Sequence, residues 1–286
     1  MNHRHDDTPT DALPTPGYGI VFWICVAWLV ALALAAAFAD LLPLHDPADI
    51  HAGIPLSVPT STNLLGTDQL GRDLLARTIY GARVSTVVAL AAVLVSSVVG
   101  GTIGLVAGFF RRKVETITLF GADVLMAFPT LLLAASIVAF SDSRGIVTVV
   151  AAIALIYLGP TIRIVRALTM SIANREFVIA ARSLGATNGR IIRREILPNV
   201  LPTVMSMMVI AIAGGVAAEG GLAYLNLSVA PPQPTWGAMI AASKDKLDQS
   251  LYPVLIPGMA LFLTVLSLTL IGDTVQKRQA RNSGAI

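Results

Sequence analysis

Long apolar runs alternate with short polar segments along most of the chain. A bilayer crossing takes about 17–25 predominantly apolar residues, and six runs are long enough for one. The predicted spans are 20–39, 84–110, 116–140, 145–162, 196–218 and 251–272. The pattern therefore predicts an all-α membrane protein with six transmembrane helices.

The intervals between these runs predict the organisation of the rest of the chain. Residues 1–19 are polar and proline-rich, and we expect a disordered cytosolic tail that precedes a retained first helix, 20–39. Residues 40–83 form an extracytoplasmic segment. Residues 84–273 form a core of five helices, which includes a cytosolic loop at 171–198. Residues 274–286 are a basic cytosolic tail.

Orientation follows from the charge of the loops. With the N-terminus inside, the cytosolic segments hold fourteen of the arginines and lysines and the outer segments hold six. The positive-inside rule favours this arrangement. Both termini and the loop at 171–198 are then cytosolic.

Composition agrees with a membrane protein and excludes several other classes. Hydrophobic residues make up 55% of the chain and charged residues 13%, against about 25% charged in ordinary soluble domains. The positive charge clusters beside apolar runs, so the basic excess does not indicate nucleic-acid binding. The single cysteine, Cys25, allows no disulfide within the chain and no cysteine-based metal site.

The loop at 171–198 is the longest basic interval of the second half. Its spacing predicts two short helices joined by a turn, with Asn174 as N-cap and Gly185 as a left-handed C-terminal stop. On a helical wheel one face of the first helix is formed by Phe177, Ala180, Ala181 and Leu184. Ile179 falls among charged residues on the opposite face. That placement fits a docking surface for a partner, and the alternative is a basic loop attracted to anionic lipid.

The run EFVIAARSLGA, which closes at ILP, resembles the EAA loop of ABC-importer permeases. In that family the loop is a coupling helix that sits in a cleft of the ATP-hydrolysing subunit. The resemblance implies the following ATPase-coupling residues: Glu176, Phe177, Ile179, Ala180, Ala181, Arg182, Leu184 and Gly185. Ile179 stands where the family usually has the acidic residue, so an acidic role is not carried over to that position.

Three further segments resemble the C-type subunit of dipeptide and oligopeptide permeases. They are LGTDQLGRD with GARVS at 65–85, AEGGLAYL at 218–225 and PPQPTWGAM at 231–239, within a likeness that covers about 62–275. Gly220, Ala223 and Asn226 depart from the family pattern. The resemblance implies the type I importer permease fold in the cell membrane and transport of short peptides. Nickel chelates, haem or another small solute are the alternative cargoes.

The same resemblance implies partners. They are a homologous B-type permease, two ATP-binding subunits that hold the ATP and Mg²⁺, an extracytoplasmic substrate-binding protein and the lipid bilayer. The chain has no GxxxxGK[ST] phosphate loop and no HExxH motif, and its histidines lie outside the spans. We therefore expect no bound cofactor or metal, no catalytic residue and no interaction with nucleic acid.

A few residues inside the spans have candidate roles. Gly100, Gly104 and Gly108 share one stripe of the second helix and predict close helix packing. Asp123 and Glu219 are charged residues within spans, where such groups usually face a partner or a water-filled path. Asp123 is either path-lining or paired with another helix, and Glu219 either lines the path or outer gate or is structural. Phe128, next to Pro129, is a further path or gate candidate, and Pro129 and Pro160 predict kinks.

Two other function classes stay open at this point. One is a membrane scaffold whose central loop recruits a cytosolic partner without transport. The other is an intramembrane enzyme, for which Asp123 and Glu219 would have to meet.

Overall fold

The structure is a computed structural model that describes residues 18–141 and 143–284. Its long helices are α1 (Ile20–Ala37), α2 (Leu74–Phe110), α5 (Ile146–Ala173), α8 (Leu197–Tyr224) and α10 (Tyr252–Gly284). Its shorter helices are α3 (Arg112–Ala127), α4 (Thr130–Ala139), α6 (Glu176–Ser183), α7 (Asn188–Ile191) and α9 (Trp236–Ser243). A π-helical turn, Ile192–Ile196, joins α7 to α8, so that Asn188–Tyr224 runs as one helix. The predicted tail at 1–17 lies outside the described residues.

Five helices of the described part are long and apolar enough to cross a membrane, and a bent pair makes a sixth crossing if its two helices together form one span. The pair is α3 and α4, which meet at an angle of 84°. Among the described residues no β-strand forms, and there is only one isolated bridge, between Thr67 and Asp73. Five of the six predicted spans are therefore present as continuous helices, and the third corresponds to the bent pair.

The break between α3 and α4 has a local cause. Pro129 has no N–H to donate, and its ring disfavours a helical conformation at the preceding residue. Phe128 accordingly adopts an extended backbone, with φ −82° and ψ 139°. The predicted kink at Pro129 is thus a full break, whereas α5 continues through Pro160 as a single helix.

Helix ends differ from the predicted span ends because a helix does not stop where the bilayer does. α2 begins ten residues before position 84, so the GARVS segment belongs to its first turns. α5 continues past position 162 to Ala173 and carries Arg163 and Arg166 with it. α10 continues to Gly284, through most of the predicted basic tail.

α2 and α5 form the centre of the bundle, and they meet at the predicted glycine stripe. A Cβ on Gly104 would lie 2.6 Å from the carbonyl oxygen of Ile162, and one on Gly108 would lie 2.6 Å from that of Arg166. Gly100 faces Leu158 one turn away. Only glycine allows two backbones to approach this closely, so the stripe fixes the distance between α2 and α5.

Candidate functional site

The predicted coupling helix, α6, is fastened to the bundle by the residue Val178. This side chain has no exposed surface and shares a buried cluster with Leu105 and Phe109 of α2 and Val165 of α5. Ala181, one turn later, packs against the same cluster. Val178 was not among the predicted coupling residues, although its spacing from Ala181 is that of an inward-facing helical pair.

The end of α6 is a Schellman motif, the arrangement in which two amides beyond the helix bond back to its last turn. The Gly185 N–H donates to the Arg182 carbonyl at 3.0 Å, and the Ala186 N–H donates to the Ala181 carbonyl at 3.1 Å. Gly185 has φ +81°, a conformation that favours glycine. The predicted left-handed stop at Gly185 is confirmed.

The predicted N-cap is wrong. Arg175 occupies the N-cap position of α6, and no side chain caps the helix there. Asn174 instead ends α5, and its Oδ1 accepts a hydrogen bond of 2.7 Å from Arg111 at the α2–α3 turn. The residue therefore ties three helices together on the cytosolic side.

Large apolar side chains project from α6 away from the bundle. Ile179 is 54% exposed, Leu184 is 88% exposed and Phe177 is 42% exposed. Ala180 and Glu176 are also exposed, while the Arg182 guanidinium lies 5.7 Å from the ring centroid of Phe109. α6 thus has a buried side, held by Val178 and Ala181, and exposed apolar side chains that none of the described residues covers.

Ion pairs connect α3 to the helix that leads into α6. Arg163 of α5 pairs with Asp123 of α3, and Arg166 of α5 pairs with Glu115 of α3. The Arg163–Asp123 pair is about half exposed and the Arg166–Glu115 pair is mostly buried. Asp123 therefore has a partner on another helix, which is one of its two predicted alternatives. Phe128 lies at the α3–α4 break and is exposed.

Glu219 lies in a different place, at the outer end of α8, and has no exposed surface. Its Oε2 accepts a hydrogen bond of 2.9 Å from the Ser85 hydroxyl of α2, and its Oε1 accepts one of 2.6 Å from the Ser228 hydroxyl. The Ser85 oxygen in turn accepts from the Trp236 backbone N–H at 3.3 Å. The described partners of Asp123 and Glu219 do not include each other, which removes the geometric support for an intramembrane acid pair.

We name the contact region of α2, α8 and α9 around Glu219, Ser85 and Trp236 the outer junction. The Trp236 side chain is fully buried there, and its indole N–H donates to the Thr78 carbonyl at 3.0 Å. Gly237 lies against α8, where an added Cβ would come within 2.7 Å of Gly220 Cα. The three segments that carried the resemblance to dipeptide permeases thus meet at one point.

Residues 54–73, within the segment predicted to be extracytoplasmic, cover the start of α2, and we name them the extracytoplasmic cap. The Asp68 carboxylate accepts from the Arg72 guanidinium at 2.7 Å and lies 3.4 Å from that of Arg77. Asp73 instead caps α2 by accepting from the Ala76 N–H at 2.8 Å. Asp68 thus pairs with both arginines, whereas Asp73 is a helix cap.

The end of α1 is tied to α2 at the same outer level. The Arg83 guanidinium donates to the Ala36 carbonyl at 2.8 Å and to Asp40 at 3.0 Å. The Tyr80 hydroxyl also donates to Asp40, at 2.8 Å. The Tyr80 hydroxyl and, after it, the Arg83 guanidinium hold the pKa of Asp40 below its usual range. Arg83 also satisfies a carbonyl that the end of α1 leaves without a helical partner.

Sequence comparison identifies relatives along nearly the whole chain. A family model described as "Binding-protein-dependent transport system inner membrane component" matches residues 100–282. The di/tripeptide transport system permease protein DppC of Pseudomonas aeruginosa is 34% identical over 96% of this chain and 95% of its own length. The glutathione transport system permease protein GsiD of Pectobacterium atrosepticum is 35% identical over 87% of this chain and 83% of its own.

A solved structure shares the fold. A chain of the MetNI methionine ABC transporter, in inward-facing conformations, superposes with a TM-score of 0.55 and 13% identity. The match covers 71% of this chain and 95% of that chain. At this level of identity the likeness concerns the arrangement of helices alone.

Proposed function

The chain belongs to the family of binding-protein-dependent transport system inner membrane components, and from that premise we propose that it is the membrane-spanning permease subunit of an ATP-driven importer of short peptides. Membership confirms the family and fold predicted from the sequence. It also makes the chain a multi-pass protein of the cell membrane. The observation that carries the peptide assignment is the similarity, along most of the chain, to permeases named for di/tripeptides, dipeptides and glutathione.

Permeases of this family have no ATPase site of their own. In the proposed complex ATP and Mg²⁺ are therefore held by two ATP-binding subunits, and a homologous B-type permease completes the path. An extracytoplasmic binding protein delivers the peptide. This division of labour agrees with the lack of a phosphate-binding loop in the sequence.

We place the contact with an ATP-binding subunit on the outward side of α6. The exposed side chains Phe177 and Leu184 on one face of α6 and Ile179 on the other supply apolar area to a partner's groove that receives the short helix between its walls. Because Val178 and the Schellman motif at Gly185 fix α6 to the bundle, a displacement of α6 has to move α5 and the helix that begins at α7. Nucleotide-driven closure of the ATPases would shift the inward–outward equilibrium through these contacts, which must differ in the two states.

The translocation path is proposed to pass the α3–α4 break, on the side that bears Phe128. The Arg163–Asp123 and Arg166–Glu115 ion pairs link α3 to α5, and α5 leads directly into α6. A movement of α6 at the cytosolic surface is thereby transmitted to the α3–α4 pair, the bent span of the described chain. Asp123 is assigned to this linkage rather than to contact with the solute.

The test is reconstitution of the four kinds of subunit in liposomes, with the partner proteins encoded beside this one. We expect ATP-dependent uptake of a labelled di- or tripeptide that requires the binding protein. Competition by unlabelled peptide, but not by a nickel chelate or haem, supports the peptide assignment. Uptake of the chelate or haem without uptake of peptide would overturn it, and a complex that binds its ATPases without importing any of the three solutes would favour the scaffold alternative.

A further inference from the structure

Glu219 is a carboxylate that lies outside the proposed transport path at the α3–α4 break. It lies four residues from Gly215, the residue of α8 that faces Ala89 of α2. With no exposed surface, it cannot be reached by a solute in this conformation. A side chain that lines a path has to be accessible from it, so burial argues against the path role.

The hydrogen bonds of Glu219 tie three parts of the chain that are remote in sequence. Ser85 belongs to α2, Glu219 to α8, and Ser228 to the loop that leads to α9. Each carboxylate oxygen receives one hydroxyl hydrogen, and the Ser85 oxygen also receives the Trp236 N–H that starts α9. Separating these elements would leave a buried carboxylate without donors, which is costly in an apolar environment.

Contacts at both ends of α9 fix it to the elements that this network connects. At its first residue, the Trp236 indole donates to the Thr78 carbonyl. At its last residue, the Ser243 hydroxyl donates to Gln69 of the extracytoplasmic cap at 2.9 Å. The ammonium group of Lys244, just beyond α9, lies 4.6 Å from the ring centroid of Tyr224 at the end of α8. α9 is therefore fixed at both ends to elements that the Glu219 carboxylate joins.

Resting on the proposed function, we propose that Glu219 is a positioning residue and not a path or gate residue. It keeps the outer junction closed through the whole transport cycle and thereby holds in place the exposed polar loop at 245–249, just beyond the buried helix α9, where the proposed binding protein docks. α2, α8 and α9 then move together.

A reversible cross-link tests whether the outer junction opens. Ala89 lies one helical turn from Ser85, and Gly215 lies one turn from Glu219. A Cβ built on Gly215 lies 3.2 Å from the Ala89 Cβ, so a shift of a few tenths of an ångström brings the pair to the separation of about 3.5–4.5 Å found in disulfides. Cys25→Ala removes the chain's single native cysteine, and Ala89→Cys with Gly215→Cys is added on that background.

We expect the oxidised, cross-linked complex to import peptide at a rate within about twofold of the reduced complex. Loss of uptake on oxidation that a reductant restores would show that α2 and α8 must separate there, and would overturn the proposal. The Ala89→Cys single variant, treated identically, controls for effects of the oxidant.

A second experiment separates positioning from a general structural role. ATP hydrolysis is measured against the concentration of peptide-loaded binding protein. Glu219→Ala should raise the half-saturating concentration roughly fivefold or more, because α9 is no longer preorganised, while the maximal rate per assembled complex stays unchanged. Glu219→Gln, which keeps one acceptor and the volume of the side chain, should restore most of the affinity.

A reduced maximal rate with an unchanged half-saturating concentration would overturn the proposal. Should Glu219→Ala fail to assemble, Ser228→Ala removes one of the two donors and is read in the same way. The unmodified complex supplies the reference for the proposed function itself. If it imports no peptide, that function fails, whereas a failure confined to the variants or the cross-linked form concerns Glu219 alone.

Discussion

The two ends of this bundle treat polar and apolar groups in opposite ways. At the outer junction a carboxylate, two hydroxyls and an indole N–H are buried and find their partners within the chain. At the cytosolic end, α6 buries Val178 and leaves Phe177, Ile179 and Leu184 exposed. A buried polar network specifies one arrangement when all its members are satisfied, whereas large apolar side chains exposed on both sides of a short helix mark a surface that another molecule covers.

The difference indicates which end is complete by itself. The polar groups of the outer junction find their partners within the chain, while α6 has apolar side chains that no described residue covers. Substitutions at the outer end should therefore change the stability of the subunit, and substitutions on the outward side of α6 should change binding and coupling at nearly constant stability. Four sets of variants test whether the stability of the subunit and its coupling to the ATPases can be changed independently.

Gly185→Asp should abolish peptide uptake, lowering it below about 5% of the unmodified rate, without preventing insertion into the membrane. Gly185 has φ +81°, and a side chain there is strained by roughly 1–3 kcal/mol, so the Schellman motif and the angle of α6 are lost. The measurement is ATP-dependent uptake alongside the amount of complex in the membrane. Gly189→Asp, in the first turn of α7 with open space around it, is the matched control and should keep uptake. Full uptake by Gly185→Asp would contradict the coupling role of this turn.

Trp236→Ala should destabilise the subunit by about 3–5 kcal/mol, the usual cost of removing a buried tryptophan. The residue is fully buried at the outer junction, and its indole N–H is bonded to Thr78. Thermal unfolding of the purified complex in detergent measures the change. Trp23→Ala is the control, because Trp23 is 58% exposed on α1 and should have little effect. Equal effects of the two substitutions would show that the outer junction is not the stabilising element.

Ile179→Ala should weaken binding of the ATP-binding subunits by about 10-fold and leave the unfolding temperature unchanged. The side chain lies on the outward side of α6, so it contributes little to the isolated subunit, and an interface anchor of this kind is worth about 1–2 kcal/mol. Pull-down of the ATPase at graded concentrations gives the affinity. Ser183→Ala, on the same helix, serves as control. An unfolding temperature that drops with the affinity would place Ile179 in the fold rather than at an interface.

Exchanging the charges of Asp123 and Arg163 should have the smallest effect. The pair is about half exposed, and such pairs contribute at most about 1 kcal/mol. Asp123→Arg alone should reduce uptake several-fold by placing like charges together, and Asp123→Arg with Arg163→Asp should restore it. Uptake kinetics for a neutral and a charged dipeptide provide the measurement. A double variant that stays impaired, and whose impairment depends on the charge of the peptide, would put Asp123 on the path.

The positions of the apolar spans and the short helix that ends at Gly185 were predictable because each depends on local sequence, whereas the orientation and the coupling role stay predictions. An uncharged run of about 20 residues has few alternatives to a membrane helix. A glycine that follows a helical segment, as Gly185 does, commonly ends the helix. The break at Pro129 was also visible, since a proline acts on its immediate neighbours. Its extent, an angle of 84°, depends on how α3 and α4 pack on α5 and was not predictable.

The inward side of α6 and the environment of Glu219 were not predicted, because both depend on how distant helices pack together. Val178 stands beside Ile179 in the sequence, and both are β-branched and apolar. Only the position of α2 and α5 decides which of them is buried. Likewise Ser85 and Ser228 lie 134 and 9 residues from Glu219, and no local pattern links the three. A signal was nevertheless present, because Ser85 and Trp236 both lie in the segments that resembled dipeptide permeases.

The break between α3 and α4 has a consequence for the turnover of a subunit that has not assembled into its complex. Carbonyl groups at the end of α3 and amide groups at the start of α4 fall outside any helical ladder, and Phe128 beside them is uncovered. Backbone groups without a helical partner are tolerated in the hydrocarbon region only where protein or water contacts them. An unassembled copy therefore exposes polar backbone at the α3–α4 break that we expect the partner permease to cover in the complex. We expect an orphan copy to be recognised and degraded, with a half-life that lengthens when the homologous permease is produced alongside it.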